Sequence, residues 1–154
     1  MSRSIVIAGF PGVGKTSAAT RVGWIDVESC PFHWVFDPED PNEPMKEKQN
    51  WVDHYVNYIE KLIKEDNHSV IMVSTHNKVR EAMHNRGIKF VVVAPISKLK
   101  NEYMVRYLRR GSDCDFLYHM DKHFEEYVRD LIYESAPVIW LESPNQVIKD
   151  VLPG

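Results

Sequence analysis

Short apolar, β-branched runs recur along the chain, separated by stretches whose apolar residues follow helical spacing. Ser4–Gly9 (SIVIAG), Ser69–Ser74 (SVIMVS) and Lys89–Ala94 (KFVVVA) are apolar at successive positions. Both faces of such a strand need cover, which predicts strands inside a sheet packed on two sides. Gly23–Val27 (GWIDV) and Pro137–Leu141 (PVIWL) are weaker versions and bring the expected strands to five. Trp51, Tyr55, Tyr58, Ile59 and Leu62 recur at three- and four-residue steps and predict a helix over Asn50–Glu65. The same reasoning predicts helices over Ser97–Arg110, around Met104 and Leu108, and over Asp115–Ser135, around Phe116, Met120, Phe124, Tyr127 and Leu131. Shorter helices are expected over Asn77–Asn85 and Asn145–Leu152, and one after Gly14 reaching about Val22. Pro31–Pro44 holds four prolines in fourteen residues and predicts a long loop, not a regular element.

Strands alternating with helices imply right-handed crossovers, hence an α/β fold with a parallel sheet and helices on both faces. The 154 residues suit one domain, and 44% apolar with 27% charged residues is ordinary for a chain that folds. Lys and Arg number 19 against 22 Asp and Glu, a formal charge of −3, so no global basic field draws nucleic acid. Cys30 and Cys114 form no C-x-x-C pair. With no secretory signal pattern, free thiols in a cytoplasmic setting are expected. No apolar run approaches the roughly 18 residues of a membrane span.

The chemistry begins at Gly9-Phe10-Pro11-Gly12-Val13-Gly14-Lys15-Thr16, which fits G-x-x-x-x-G-K-[ST] directly after the first strand and before a helix, with Ser17 next. Glycines let successive backbone N–H groups converge on phosphate oxygens, and the helix N-terminus adds positive potential. Lys15 is placed to reach the outer phosphates and the Thr16 hydroxyl to ligate Mg²⁺. Strand two ends in Asp26-Val27-Glu28, whose two acids share a face at the carboxyl end of the sheet, where α/β folds bind ligands. Strand three ends in Ser74-Thr75-His76, followed by Lys78 and Arg80. No Asp closes that strand as a motor-type ATPase wants, and no N-K-x-D signature of a GTPase is present. Arg106, Arg109 and Arg110 precede the Gly111 turn, where a flap could close over transferring phosphates.

This order of motifs resembles the small P-loop kinases, the group of adenylate, shikimate and gluconate kinases, and is closest in look to compact phage- and prophage-encoded nucleotide-kinase-like members. The resemblance spans nearly the whole chain as one domain, with an acceptor loop at about 30–50 and a short lid at about 106–116. It implies a three-layer P-loop NTPase fold with a five-stranded parallel sheet in the order 2-3-1-4-5, ATP as donor and Mg²⁺ as metal. Gly9 to Thr16 match the donor-phosphate loop. Asp26 matches an acid near the metal and the attacking hydroxyl, Glu28 one that grips the acceptor, and Arg106, Arg109 and Arg110 match lid positions. The Glu142-Ser143-Pro144 loop matches where relatives hold adenine, with Arg110 as stacking partner. One departure stands out. Residues 29–64 hold no arginine, where nucleoside-monophosphate kinases place one for the acceptor phosphate, so Lys78 and Arg80 are expected to take that role.

Phe32, Trp34 and Phe36 alternate within the long loop, as core residues or as a base-stacking wall built with Thr75, His76, Lys78 and Arg80 opposite. His119 and His123 lie four apart, and a solvated helix face is the expectation for them over a zinc site. The function expected is an ATP- and Mg²⁺-dependent phosphotransferase acting on a small acceptor, a nucleotide or nucleoside first. The partner is a small molecule, not a membrane, with nucleic acid disfavoured, and the chain a monomer or homodimer. Two alternatives stay open: a kinase for another metabolite or a nucleic-acid end, and a nucleotide-binding regulatory module with little turnover.

Overall fold

A computed structural model describes residues 4–29, 32, 34–35 and 46–151. The chain runs β1 (Ile5–Gly9), α1 (Lys15–Ala18), β2 (Trp24–Asp26), β3 (Trp34–Val35), β4 (Lys46–Glu47), α2 (Trp51–Glu65), β5 (Val70–Ser74), α3 (Asn77–Asn85), β6 (Val91–Pro95), α4 (Lys100–Arg109), α5 (Cys114–Ile132) and β7 (Val138–Leu141). Five strands form one sheet in the order β2-β5-β1-β6-β7, and every pairing in it is parallel. Counted along the chain without the small hairpin, that is the order 2-3-1-4-5. Along β1, β5 and β6 consecutive residues are buried, so both faces of the sheet are covered. The helices associate as two pairs, α2 with α3 and α4 with α5.

The parallel order sets where chemistry can happen. With β1 central and β5 and β6 on either side, the segments leaving β1, β2 and β5 emerge side by side at one end of the sheet. Those segments carry Gly9–Thr16, Asp26–Glu28 and Ser74–Arg80.

The structure differs from the sequence expectation in three elements. The helix after Gly14 is a single turn, because the Thr20 hydroxyl takes the Ser17 carbonyl at 2.7 Å and the chain then turns at Gly23, with φ of 82°. No α-helix covers 145–151. The Gln146 side-chain carbonyl accepts from the Glu142 and Ser143 amides and holds a loop there, followed by one 3₁₀ turn over Ile148–Asp150. Inside the proline-rich stretch, β3 forms and pairs antiparallel with β4 just beyond it. Among the described residues, no helix is long and apolar enough to cross a membrane.

Candidate active site

The Gly9–Thr16 loop takes its shape from two left-handed residues, Gly12 at φ 92° and Gly14 at φ 94°. Side chains could not stand at either position. A Cβ on Gly12 would lie 2.9 Å from a Tyr107 ring carbon, and one on Gly14 would lie 3.1 Å from Val147. The loop is therefore clasped between α4 and the segment after β7. The clasp is polar as well. The Tyr107 hydroxyl donates to the Pro11 carbonyl at 2.6 Å, Arg106 Nη1 donates to the Gly12 carbonyl at 2.8 Å, and the Ile148 amide donates to the Val13 carbonyl at 2.8 Å. Arg106 Nη2 donates to the Pro144 carbonyl, and its guanidinium lies 4.4 Å from the Tyr103 ring centroid.

Lys15 folds back over the end of β1, so that a Cβ on Gly9 would stand 2.8 Å from Lys15 Cδ. Burial holds the Lys15 ammonium below its usual pKa; Asp26 and Glu28 pull it back up, while Arg110 adds to the lowering. Two carboxylates and a guanidinium thus converge electrostatically on one amine at the mouth of the loop. Asp26 shows the converse shift. Burial raises its carboxyl pKa, Lys15 opposes that, and the neighbouring Glu28 reinforces it. Thr16 lies within side-chain hydrogen-bonding reach of that carboxylate, yet Asp26 Oδ1 is buried with no partner among the described residues. A buried carboxylate oxygen without a partner beside an exposed threonine hydroxyl is a set of hard oxygen donors, the kind Mg²⁺ takes. Among the described residues no three His, Cys, Asp or Glu side chains gather as a metal-binding group.

Beside the loop opens a cleft of about 490 Å³, within the range of small-molecule pockets. One wall comes from Phe10 and Pro11 and from Ser74 to Asn77, the other from α5, including Phe116, His119, Tyr127 and Asp130. The strand ends along the first wall are pinned by Tyr55 of α2. Its hydroxyl donates to the Val27 carbonyl at 2.5 Å and accepts from the Ser74 amide at 3.1 Å, joining the segments that hold Asp26–Glu28 and Thr75–His76. Tyr55→Phe would strand both backbone groups in a buried place and should cost about 2 kcal/mol of stability, read by urea denaturation. A loss within error of zero would show that the strand ends hold without it.

No protein-family model matches the chain. No curated protein is similar to it in sequence. The fold has a solved counterpart. The tunicamycin resistance protein of Deinococcus radiodurans superposes with a TM-score of 0.59 over 96% of this chain and 91% of that one, at 15% identity. An uncharacterized protein from Eubacterium ventriosum aligns over 96% of this chain and 93% of its own with a TM-score of 0.46 and 14% identity.

The sequence-derived site residues fall into three groups. Gly9, Pro11, Gly12, Val13, Gly14, Lys15, Thr16 and Ser17 form the loop and first helical turn, and Asp26, Glu28 and Arg110 share the electrostatic surroundings of Lys15. Thr75 and His76 line the cleft. The His76 Nδ1 accepts the Lys78 amide at 3.2 Å as the cap of α3, and Lys78 itself is exposed and does not line the cleft. The third group departs from expectation. Arg80 is not an open cation but a 7%-exposed strut. Its Nε donates to the Thr75 carbonyl at 2.8 Å and its two terminal nitrogens bind Asp130 and Glu134. Arg106 likewise ties the loop to Pro144 instead of standing over it. Residues 106–116 form two helix ends joined by a tight turn at Gly111, with φ of 81°, the helix–turn–helix order that the sequence predicts. Arg109 is exposed, and Arg110 lies over the Tyr107 and Phe116 rings at 4.9 and 5.1 Å.

Phe32 packs on Tyr55 and Tyr58, with ring centroids 5.3 and 5.7 Å away, and borders a shallow hollow with Asp26 and Glu28. The side chain of Trp34 and the whole of Phe36 lie outside the described residues. The α5 wall is the part the sequence reading missed. His119, set aside there, lines the cleft and is hydrogen-bonded through Nε2 to the Tyr127 hydroxyl, while His123 Nδ1 pairs with Glu126 at 3.0 Å. The available signal was Phe116, His119, Met120 and Tyr127 falling on one side of a helix.

Proposed function

We propose that the chain is a P-loop kinase that moves the γ-phosphoryl group of ATP to a small acceptor of the nucleotide or nucleoside kind. The observation that carries this reading is the loop geometry, in which the left-handed Gly12 and Gly14 set Lys15 and Thr16 at the start of α1, with the buried Asp26 carboxylate in reach of Thr16. The backbone amides at Gly12 to Thr16 cradle the donor phosphates, and α1 points its N-terminus at them. Lys15 and Arg110 neutralise charge that builds on the transferring group. Thr16 and Asp26 would hold Mg²⁺, which would supply further charge neutralisation to the phosphates. The acceptor lies in the cleft between the Ser74–Asn77 wall and α5, beside Phe10 and Pro11 of the loop. The antibiotic in the name of the Deinococcus protein adds tunicamycin to the acceptors worth testing.

A turnover screen with γ-labelled ATP and Mg²⁺ tests the reading, using nucleosides, nucleoside monophosphates, polyol acids and tunicamycin as acceptors. Label transfer with matching ADP is expected for at least one class; no transfer to any of them would count against the kinase. Asp26→Asn should lower kcat and raise the Mg²⁺ concentration needed for half-maximal turnover. Wild-type rate and Mg²⁺ dependence in the variant would remove Asp26 from the reaction.

A further inference from the structure

We infer that the acceptor is an uncharged, hydroxyl-bearing ring compound of the nucleoside kind, not a nucleoside monophosphate. The inference deepens the kinase reading and rests on it for the direction of transfer, but its basis is the charge of the cleft wall. Arg80 is the cation of that wall, and it is already matched by two carboxylates, Asp130 and Glu134. Glu126 adds another carboxylate to the same lining. Arg80 is the only Lys or Arg among the described residues that line the cleft, and the Nδ1 of His76 is taken up by the Lys78 amide. Burial and the neighbouring His123 both hold the His119 pKa below its ordinary value. An acceptor phosphate entering here would lose water and meet described lining residues in which carboxylates outnumber Lys and Arg, a costly exchange.

The wall suits hydroxyls and a flat ring. Asp130 and Glu126 offer acceptors to hydroxyl protons, and Ser74, Thr75 and Asn77 offer both donors and acceptors. Phe10, Phe116 and Tyr127 provide aromatic surface for a base or similar ring. In the transfer the acceptor hydroxyl oxygen bonds to the γ-phosphorus, the bond from phosphorus to the bridging oxygen breaks, ADP leaves, and the hydroxyl proton passes to solvent.

Matched pairs test this directly: adenosine, guanosine, cytidine, uridine and thymidine against their 5′-monophosphates. Each is titrated calorimetrically without ATP and then assayed for turnover with Mg²⁺ and ATP. The expected result is at least one pair in which the nucleoside binds 10-fold or more tightly than the monophosphate. Glu126→Gln and Asp130→Asn should each narrow that ratio by strengthening monophosphate binding; Glu126 is exposed, so its variant should fold. Equal or tighter binding of the monophosphate in every pair that binds would overturn the inference. So would the absence of binding by any member while ATP still binds, and that outcome would leave the kinase reading standing. Nucleoside preference without any ATP binding would instead uphold the ligand class and remove the kinase.

Discussion

Lys15→Met is expected to reduce phosphoryl transfer by about 10³-fold or more while leaving the melting temperature close to that of the wild type. The Lys15 stem lies across Gly9 and its ammonium is held in a partly covered place, where burial lowers its pKa. Methionine keeps most of the stem and removes a charge that was costly to bury, so the fold has little to lose. The reaction loses its central cation. A second effect follows from the coupling between Lys15 and Asp26. Lys15 holds the Asp26 pKa down against burial, so in the variant that pKa should rise further and residual activity should need more Mg²⁺. Turnover and thermal melts on the same preparation check both parts. Wild-type turnover in a folded Lys15→Met protein would refute the assigned role.

Arg80→Met should be the most destabilising single change among the site residues, at about 3 kcal/mol near neutral pH. Removing the guanidinium leaves Glu134, whose side chain is 5% exposed, without its cation, and frees α3 from α5. The low end of the range for broken buried pairs applies because Asp130, the other partner, is half exposed and water can take over there. The pH dependence follows from Glu134. Burial raises its pKa, but hydrogen bonds from His84, the Ala136 amide and Arg80 outweigh burial, and the net shift is downward. A carboxyl whose folded pKa lies below its unfolded value contributes stability above the unfolded value. That stability disappears as the pH falls through the folded one. Wild-type protein should therefore lose stability on acidification below the ordinary glutamate range, and Arg80→Met should lose less because part of that contribution is already gone. Urea denaturation at neutral and acidic pH measures both. Equal stability of the two proteins at neutral pH would show the ion pairs to be incidental.

The parallel sheet and the shape of the Gly9–Thr16 loop were legible in the sequence because their causes are local. Successive burial writes β1, β5 and β6 as unbroken apolar runs, and the loop writes its left-handed backbone as glycine. Asn77–Asn85 was legible for the same reason, as a helix whose periodic residues Val79 and Met83 face the core. What the sequence hid depends on partners far along the chain. Arg80 reads as a free cation until Asp130 and Glu134, 50 and 54 positions away, are folded against it. Arg106 reads as a lid arginine until Gly12, 94 positions away, offers its carbonyl. Residues 145–151 carry helical apolar spacing, but the Gln146 side chain is taken up by the Glu142 and Ser143 amides just before them and holds a loop there.

The most direct test of the central claim is the equilibrium binding of ATP to the purified chain with and without Mg²⁺. The account predicts a Kd within the roughly 1 µM–1 mM range typical of enzyme substrates, tightened by Mg²⁺ and lost in Lys15→Met. Amide resonances of Gly12, Gly14, Lys15 and Thr16 should be the ones that move most. No binding at millimolar ATP, or binding of equal strength in Lys15→Met with those amides unmoved, would contradict it.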